Sequence, residues 1–353
     1  MASMTATVAA AIGRLPRAVT CLAVLYAGIK IARALYKMAS FIGVYARPSQ
    51  LHRYIYKDAD GRPPWALVTG ASDGVGVAFA DQLAAAGLNV MLHGRNETKL
   101  EGVRQQLSQK HPQTQFRLFV ADATQVCHPR SPGSTDFAID DLVEKHLGDL
   151  HLTVLINNAG GGLMAPTYGS LAETSSARIV QNVMLNGVFP LVLTARVLEL
   201  FQRRSQLQST PVTPALVMNI GSLADLGMPF VTPYAASKTL MLAATSIARR
   251  ELEALGHGDT IQMLAVRFGV VTGVSHTKTT PKLLEPDTQT MARAALARTG
   301  SGRDIVIGHL PQAFQNLTMG PLPARMLDRI FEKIMMERRT KEKEEMSQQK
   351  KAK

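Results

Sequence analysis

Between Trp65 and Ala84 a short apolar run, Trp65-Ala-Leu-Val68, breaks into the turn Thr69-Gly-Ala-Ser-Asp-Gly-Val-Gly76. An apolar face at Val77, Phe79, Ala80, Leu83 and Ala84 then follows at helical spacing. A strand, a glycine turn and an amphipathic helix leave few architectures open, because the helix must cover the strand and the next strand must return parallel to the first. Further strand-like runs recur at 89–93, 116–120, 152–156, 215–219, 262–267 and 304–307, with helical patterns between them. The alternation predicts an α/β fold, a single doubly wound parallel sheet covered by helices on both faces. The chain has 353 residues, 46% of them apolar, and no internal repeat. That is enough for one α/β domain of about 250 residues with appendages.

The glycine turn carries chemistry as well as shape. Gly70, Gly74 and Gly76 allow a tight, close-packed loop, and the backbone N–H groups from Ser72 to Val75 open a helix N-terminus that can cradle a pyrophosphate. This is the Rossmann-type arrangement, although the spacing TGxxxGxG differs from the GxGxxG of the longer dehydrogenases. After the run Asn89–His93 comes Gly94-Arg95-Asn96. A carboxylate there would bind a ribose 2′-hydroxyl and repel a 2′-phosphate, whereas Arg95 pairs with the phosphate, which favours NADPH over NADH; the alternative is a solvated loop arginine. Asp122, after the run Phe116–Val120, suits either the adenine amino group or an ordinary turn.

Downstream lie Asn157-Asn-Ala-Gly160, Asn186, Ser222 and Tyr234-Ala-Ala-Ser-Lys238. Hydride arriving at a carbonyl carbon leaves an alkoxide that needs a proton and hydrogen bonds. A tyrosine with pKa ~10 is a poor acid–base group near neutrality unless a cation lowers it. Tyr234 and Lys238 share a helix face, so Lys238 is expected to depress the phenol. Ser222 would donate a hydrogen bond to the same oxygen, and Asn186 would hold a water relaying protons from the lysine. Taken singly, a Tyr-x-x-x-Lys is more often an amphipathic pair. In this order after a glycine loop, the set specifies hydride transfer between a nicotinamide and a carbonyl or alcohol carbon.

From Trp65 to about His309 the sequence resembles the short-chain dehydrogenase/reductase family. Within it, WALVTGASDGVG, the HGRN stretch, Pro286–Leu296 and Gly308-His309 resemble the membrane-bound very-long-chain 3-oxoacyl-CoA reductases and their 17-beta-hydroxysteroid dehydrogenase relatives. The resemblance implies a catalytic tetrad of Asn186, Ser222, Tyr234 and Lys238. It implies NADPH contacts from Gly70, Ser72, Gly74, Val75, Gly76, Arg95, Asp122, Asn158, Tyr234, Lys238, Val270 and Thr272, and a substrate flap over Gly273–Asp287. Two positions depart from the family: Gly221-Ser222 where many relatives have Ser-Ser, and Arg267-Phe268 where a proline is usual. The substrate expected is a long apolar ketone, a 3-oxoacyl-CoA, with a steroid or other lipid ketone as the alternative. A reductase-fold protein that binds nucleotide or lipid without turnover is a third reading, against which the complete tetrad argues.

Charge separates the chain into three parts. Residues 1–57 carry eight basic and no acidic residues, residues 320–353 carry ten basic and six acidic, and 58–319 are balanced at 21 of each. The middle, the expected cofactor-binding domain, has no basic excess calling for nucleic acid. Cys21 and Cys127 offer neither a metal site nor a disulfide framework, and the chemistry requires no metal. In the N-terminal part Ala18–Ile29 is a run of only twelve residues, short of the ~20 that span a bilayer. The apolar pattern continues to Val44, interrupted by Lys30, Arg33 and Lys37 within about 60° of one another on a helical wheel. This predicts a membrane anchor, interfacial or spanning, with a mitochondrial presequence as the competing reading. In the C-terminal part Met326, Leu327, Ile330, Phe331, Ile334 and Met335 form a stripe expected to meet a membrane or a partner subunit, with a homodimer as the assembly to test. The ending Lys350-Lys351-Ala352-Lys353 matches a dilysine address for the endoplasmic reticulum.

Overall fold

The computed structural model describes residues 17–131, 134, 137–161, 166–207, 213–274 and 279–351. The connections expected at Thr124–Thr135, Gln206–Pro214 and Gly273–Asp287 lie partly outside the described residues, as do Ala352 and Lys353 of the lysine motif. The chain divides into two compact units, with the boundary between Pro48 and Ser49.

Among its described residues, the first unit holds one helix, α1 (Arg17–Ala46), 30 residues long. At 1.5 Å per residue it extends about 45 Å, more than the hydrocarbon core of a bilayer. The twelve-residue run seen in the sequence is therefore only part of one continuous apolar rod. Leu22, Val24, Leu25, Ile31 and Leu35 on it are all exposed, and Lys30 Nζ lies 5.2 Å from the Tyr26 ring centroid.

The second unit begins earlier than the charge boundary at residue 57 suggests. Gln50 N–H donates to Thr299 O, Tyr54 is buried with its hydroxyl 2.7 Å from Gln262 Oε1, and Thr153 Oγ1 donates to Tyr54 O. Residues 49–57 thus belong to the globular unit, and so does the segment from 320 onward.

Its centre is a sheet of seven parallel strands: β1 (Trp65–Thr69), β2 (Asn89–Gly94), β3 (Phe116–Val120), β4 (Leu152–Asn157), β5 (Ala215–Ser222), β6 (Ile261–Phe268) and β7 (Ile305–Ile307), in the order β3-β2-β1-β4-β5-β6-β7. β1, β2 and β4 are buried along their whole length, which is why they read as unbroken apolar runs rather than alternating ones. Helices α2 (Gly74–Ala85), α3 (Glu97–Lys110), α4 (Ala138–Leu147), α5 (Ser176–Val183), α6 (Phe189–Leu207), α7 (Thr232–Ala254), α8 (Thr288–Leu296), α9 (Leu310–Met319) and α10 (Ala324–Lys351) connect or follow the strands. The segment Ser176–Arg203 is as apolar as a membrane span, but Phe189, Leu193 and Val197 are fully buried against the sheet, so it is a core helix. Strand order reverses between β1 and β4. In such sheets the crevice outside the carboxyl ends at the reversal is where ligands bind, and the glycine turn, Arg95, Asp122, Asn157–Gly160 and Ser222 all lie at or just after a strand's carboxyl end.

Candidate active site

At the end of β1 the chain turns through Gly70 (φ +67°) and Gly74 (φ +58°), a left-handed region that side chains disfavour. Space is equally restrictive. A Cβ on Gly70 would lie 2.8 Å from Ala159 Cα, and one on Gly76 would lie 2.0 Å from Gly70 O. The Asp73 side chain caps α2 by accepting from Gly74 N at 2.7 Å. The turn is bolted to the end of β4: Thr69 Oγ1 accepts from Asn158 N at 3.0 Å and Ala159 N at 2.9 Å, and Asn158 Nδ2 donates to Thr69 O at 3.0 Å. Asn158 therefore braces the glycine turn through its amide.

Further along the sheet edge, Arg95 is exposed after β2 with no ion-pair partner among the described residues. Asp122, after β3, accepts from Thr124 N at 2.9 Å and Thr124 Oγ1 at 2.8 Å through Oδ1; the turn role weighed in the sequence is real. An open guanidinium and the helix N–H groups beyond the Asp73-capped Gly74 fit the phosphates of a dinucleotide.

The proton-handling groups meet at the ends of β4 and β5. Ser222 closes β5 with its Oγ accepting from Ala224 N at 3.2 Å, and it stands at the Tyr234 phenol, where it favours the ionised form against the larger effect of burial. Tyr234 and Lys238 lie on one face of α7, with Lys238 Nζ 5.9 Å from the tyrosine ring centroid. The expected depression of the phenol by the lysine is not what the geometry produces. Burial raises the Tyr234 pKa, outweighing the Ser222 bond, and Asp225 adds to the rise. The reason is position: Lys238 faces the ring and donates to Ile220 O at 2.8 Å, while burial lowers its own pKa to about 8.

Asn186 lies in a π-helical turn (Met184–Val188) between α5 and α6, a distortion frequent at functional sites. Its amide accepts from Gly161 N at 2.9 Å and donates to Gly161 O at 3.1 Å and Asn182 O at 3.0 Å. The side chain thus fixes the turn after Asn157-Asn-Ala-Gly160. A Cβ on Gly160 would lie 2.7 Å from Asn186 Oδ1 and 2.9 Å from Lys238 Nζ, so both side chains converge on one glycine.

The sequence does not show the positioning roles of several residues. Asn157 Nδ2 donates to Asn219 Oδ1 at 2.8 Å and to Thr194 Oγ1 at 2.9 Å, and Asn219 Nδ2 donates to Thr245 Oγ1 at 2.8 Å. This buried ladder ties β4 to β5 and β5 to α7, two turns beyond Lys238. The signal was an asparagine inside the apolar strand ALVMNIGS. Arg267, at the end of β6, pairs with the buried carboxylate of Asp225 at 2.9 Å from Nε and 2.5 Å from Nη2. The backbone beyond it is held by Gln312, buried on α9, which accepts from Gly269 N at 3.0 Å and donates to Val270 O at 2.9 Å and Leu284 O at 3.0 Å. Val270 lines the cavity described next. Thr272 does not: it is fully buried and bonded to Pro286 O.

A cavity of about 600 Å³ opens over this constellation, with Gly160, Ser222, Tyr234, Lys238 and Val270 in its wall. Its cover comes from α10, whose Ile330, Phe331, Ile334 and Met335 also line it. Phe331 and Met335 are buried. The C-terminal stripe expected to meet a membrane or a partner is thus in good part the lid of the molecule's own pocket. Beyond these residues, Arg339 pairs with Glu173 at 2.7 Å, and Glu342 accepts from Thr167 N at 2.6 Å and Tyr168 N at 2.9 Å. No group of three His, Cys, Asp or Glu side chains among the described residues converges on a metal position.

Comparison with known proteins agrees with this geometry. Residues 64–283 match the short chain dehydrogenase family, and the chain belongs to that family of oxidoreductases. A very-long-chain 3-oxoacyl-CoA reductase of Caenorhabditis briggsae is 28% identical over 268 residues, spanning 76% of this chain and 78% of that protein. A Caenorhabditis elegans protein classed provisionally as a steroid dehydrogenase is 27% identical over 266 residues, spanning 75% of this chain and 78% of its own. Among solved structures, the bulky-bulky ketone specific alcohol dehydrogenase from Comamonas testosteroni is similar at a TM-score of 0.55 and 25% identity, covering 74% of this chain and 96% of that one.

Proposed function

We propose that the protein is an NADPH-dependent reductase of long-chain 3-oxoacyl-CoA, held by α1 at the endoplasmic reticulum membrane with its catalytic unit in the cytosol. The carrying observation is Tyr234, with Ser222 at its hydroxyl and Lys238 beneath its ring, in the wall of a cavity covered by apolar side chains of α10. The relatives' substrates favour the acyl-CoA. The steroid reading rests on the likeness to the steroid dehydrogenase of similar identity.

NADPH supplies hydride to the substrate's carbonyl carbon. Arg95 favours its 2′-phosphate, and the N–H groups of Val75 and Gly76, beyond the Asp73-capped Gly74, suit the pyrophosphate. Ser222 and Tyr234 hydrogen-bond the substrate oxygen as its charge grows, and Tyr234 transfers the proton. A phenol whose pKa burial has raised is protonated at neutral pH, the state in which reduction requires it. Lys238, still largely charged at neutral pH, is held by Ile220 O beside the Gly160 turn, where its ammonium would bond the ribose of NADPH. Asn186 keeps the Gly160–Gly161 turn against that lysine.

The test is NADPH oxidation with a long-chain 3-oxoacyl-CoA. Tyr234→Phe is expected to lower kcat more than tenfold, at least ~1.4 kcal/mol of transition-state stabilisation, while NADPH still binds. A variant retaining a tenth or more of the rate would place the proton donor elsewhere.

A further inference from the structure

Two cations stand on the cavity wall without an ion-pair partner among the described residues. Arg338, on the half-buried side of α10, lines the cavity and makes no ion pair among the described residues. Arg178, on α5, also lines it, and its described bond is to a neutral acceptor, Thr167 O, at 3.4 Å. They share one rim. Thr167 N–H donates to Glu342, which follows Arg338 by one helical turn on the same face. The carboxylates nearby are already engaged: Glu342 accepts two backbone N–H groups, and Glu173 holds Arg339, whose guanidinium also sits 4.9 Å from the Phe230 ring centroid. Partly desolvating a cation without a partner is costly. A pair left so beside an apolar cavity is suited to an incoming anion.

Resting on the reductase reading above, we infer that Arg338 and Arg178 form an anion subsite at the cavity rim that receives phosphate groups of the CoA thioester. The carbonyl of an acyl-CoA reacts at one end of the pantetheine arm and its phosphates sit at the other. A substrate with its ketone at Tyr234 and its chain under α10 would bring those phosphates toward the open rim. A steroid carries no such charge and has no use for the two arginines, so the subsite favours the thioester over the steroid.

The experiment uses the full-length protein in detergent with NADPH and compares 3-oxodecanoyl-CoA with 3-oxodecanoyl-N-acetylcysteamine, the same reacting end without phosphates. The measured quantity is the ratio of their kcat/KM values. Both rates come from one preparation, so partial loss of folded protein cancels. The ratio is expected to exceed one in the unaltered protein and to fall with added salt. In Arg338→Gln it is expected to fall about tenfold, the scale of one hydrogen bond to a charged group, and further in the Arg178→Gln, Arg338→Gln double variant. Arg329→Gln, exposed elsewhere on α10, is expected to leave it unchanged. An unaltered ratio in the double variant, with both thioesters still reduced, overturns the subsite and leaves the reductase reading standing. Turnover of neither thioester by the unaltered protein overturns both.

Discussion

Gly160 sets the spacing of the catalytic groups more tightly than any residue that does chemistry. A Cβ added there would lie 2.7 Å from Asn186 Oδ1 and 2.9 Å from Lys238 Nζ, so Gly160→Ala must displace one of them. The expected result is a fold of near-normal Tm with kcat reduced at least tenfold, at least ~1.4 kcal/mol of transition-state stabilisation; an Ala variant of normal kcat would show that the turn yields freely. Lys238 makes a second prediction. Burial holds its pKa at about 8, so below that pH it is charged and above it neutral. The reductive kcat/KM for NADPH reports titrations of the free protein, and is expected to fall as pH rises through about 8. For stability the sign is the reverse: between about 8 and the ordinary value of 10.5 the unfolded chain binds more protons, so this group's penalty is relieved as pH rises. A reductive profile flat to pH 10 would separate the lysine's charge from the rate.

At the scale of elements, loops and helices far apart in sequence are coupled by single side chains. Gln312 bonds Gly269 N–H and the carbonyls of Val270 and Leu284. Gln312→Leu is expected to cost about 2–3 kcal/mol, since buried polar groups lose their partner, measured as a lowered midpoint in urea. α10 acts as a cover. Phe331→Ala removes a buried ring from the cavity roof, and is expected to raise KM for long acyl chains more than for short ones. An equal rise for all chain lengths would mean that the helix only supports the fold.

For the whole molecule, the division at Pro48/Ser49 makes attachment and catalysis separable. Deleting residues 1–48 is expected to release the catalytic unit to the soluble fraction with unchanged kcat/KM on a short-chain 3-oxoacyl thioester. Cutting at residue 57 instead would remove Tyr54 from the core and lower Tm. Persistence of the shorter deletion on membranes would assign a second anchor to Met326 and Ile334, which remain exposed on α10.

What could be read without coordinates was local or periodic. The seven strands, the glycine turn and the Tyr234–Lys238 face follow from apolar runs, φ-permissive glycines and i,i+4 spacing, each a property of neighbouring residues. What could not be read depended on partners distant in the chain. The sign of the Tyr234 shift came from burial by the rest of the fold and from where Lys238 aims. The role of Arg267 came from Asp225, 42 positions away, and that of Gln312 from a loop 43 positions earlier. The stripe on α10 had the same pattern whether it faced lipid, a partner or its own pocket. Helical periodicity establishes that a face is apolar, whereas only packing decides what covers it.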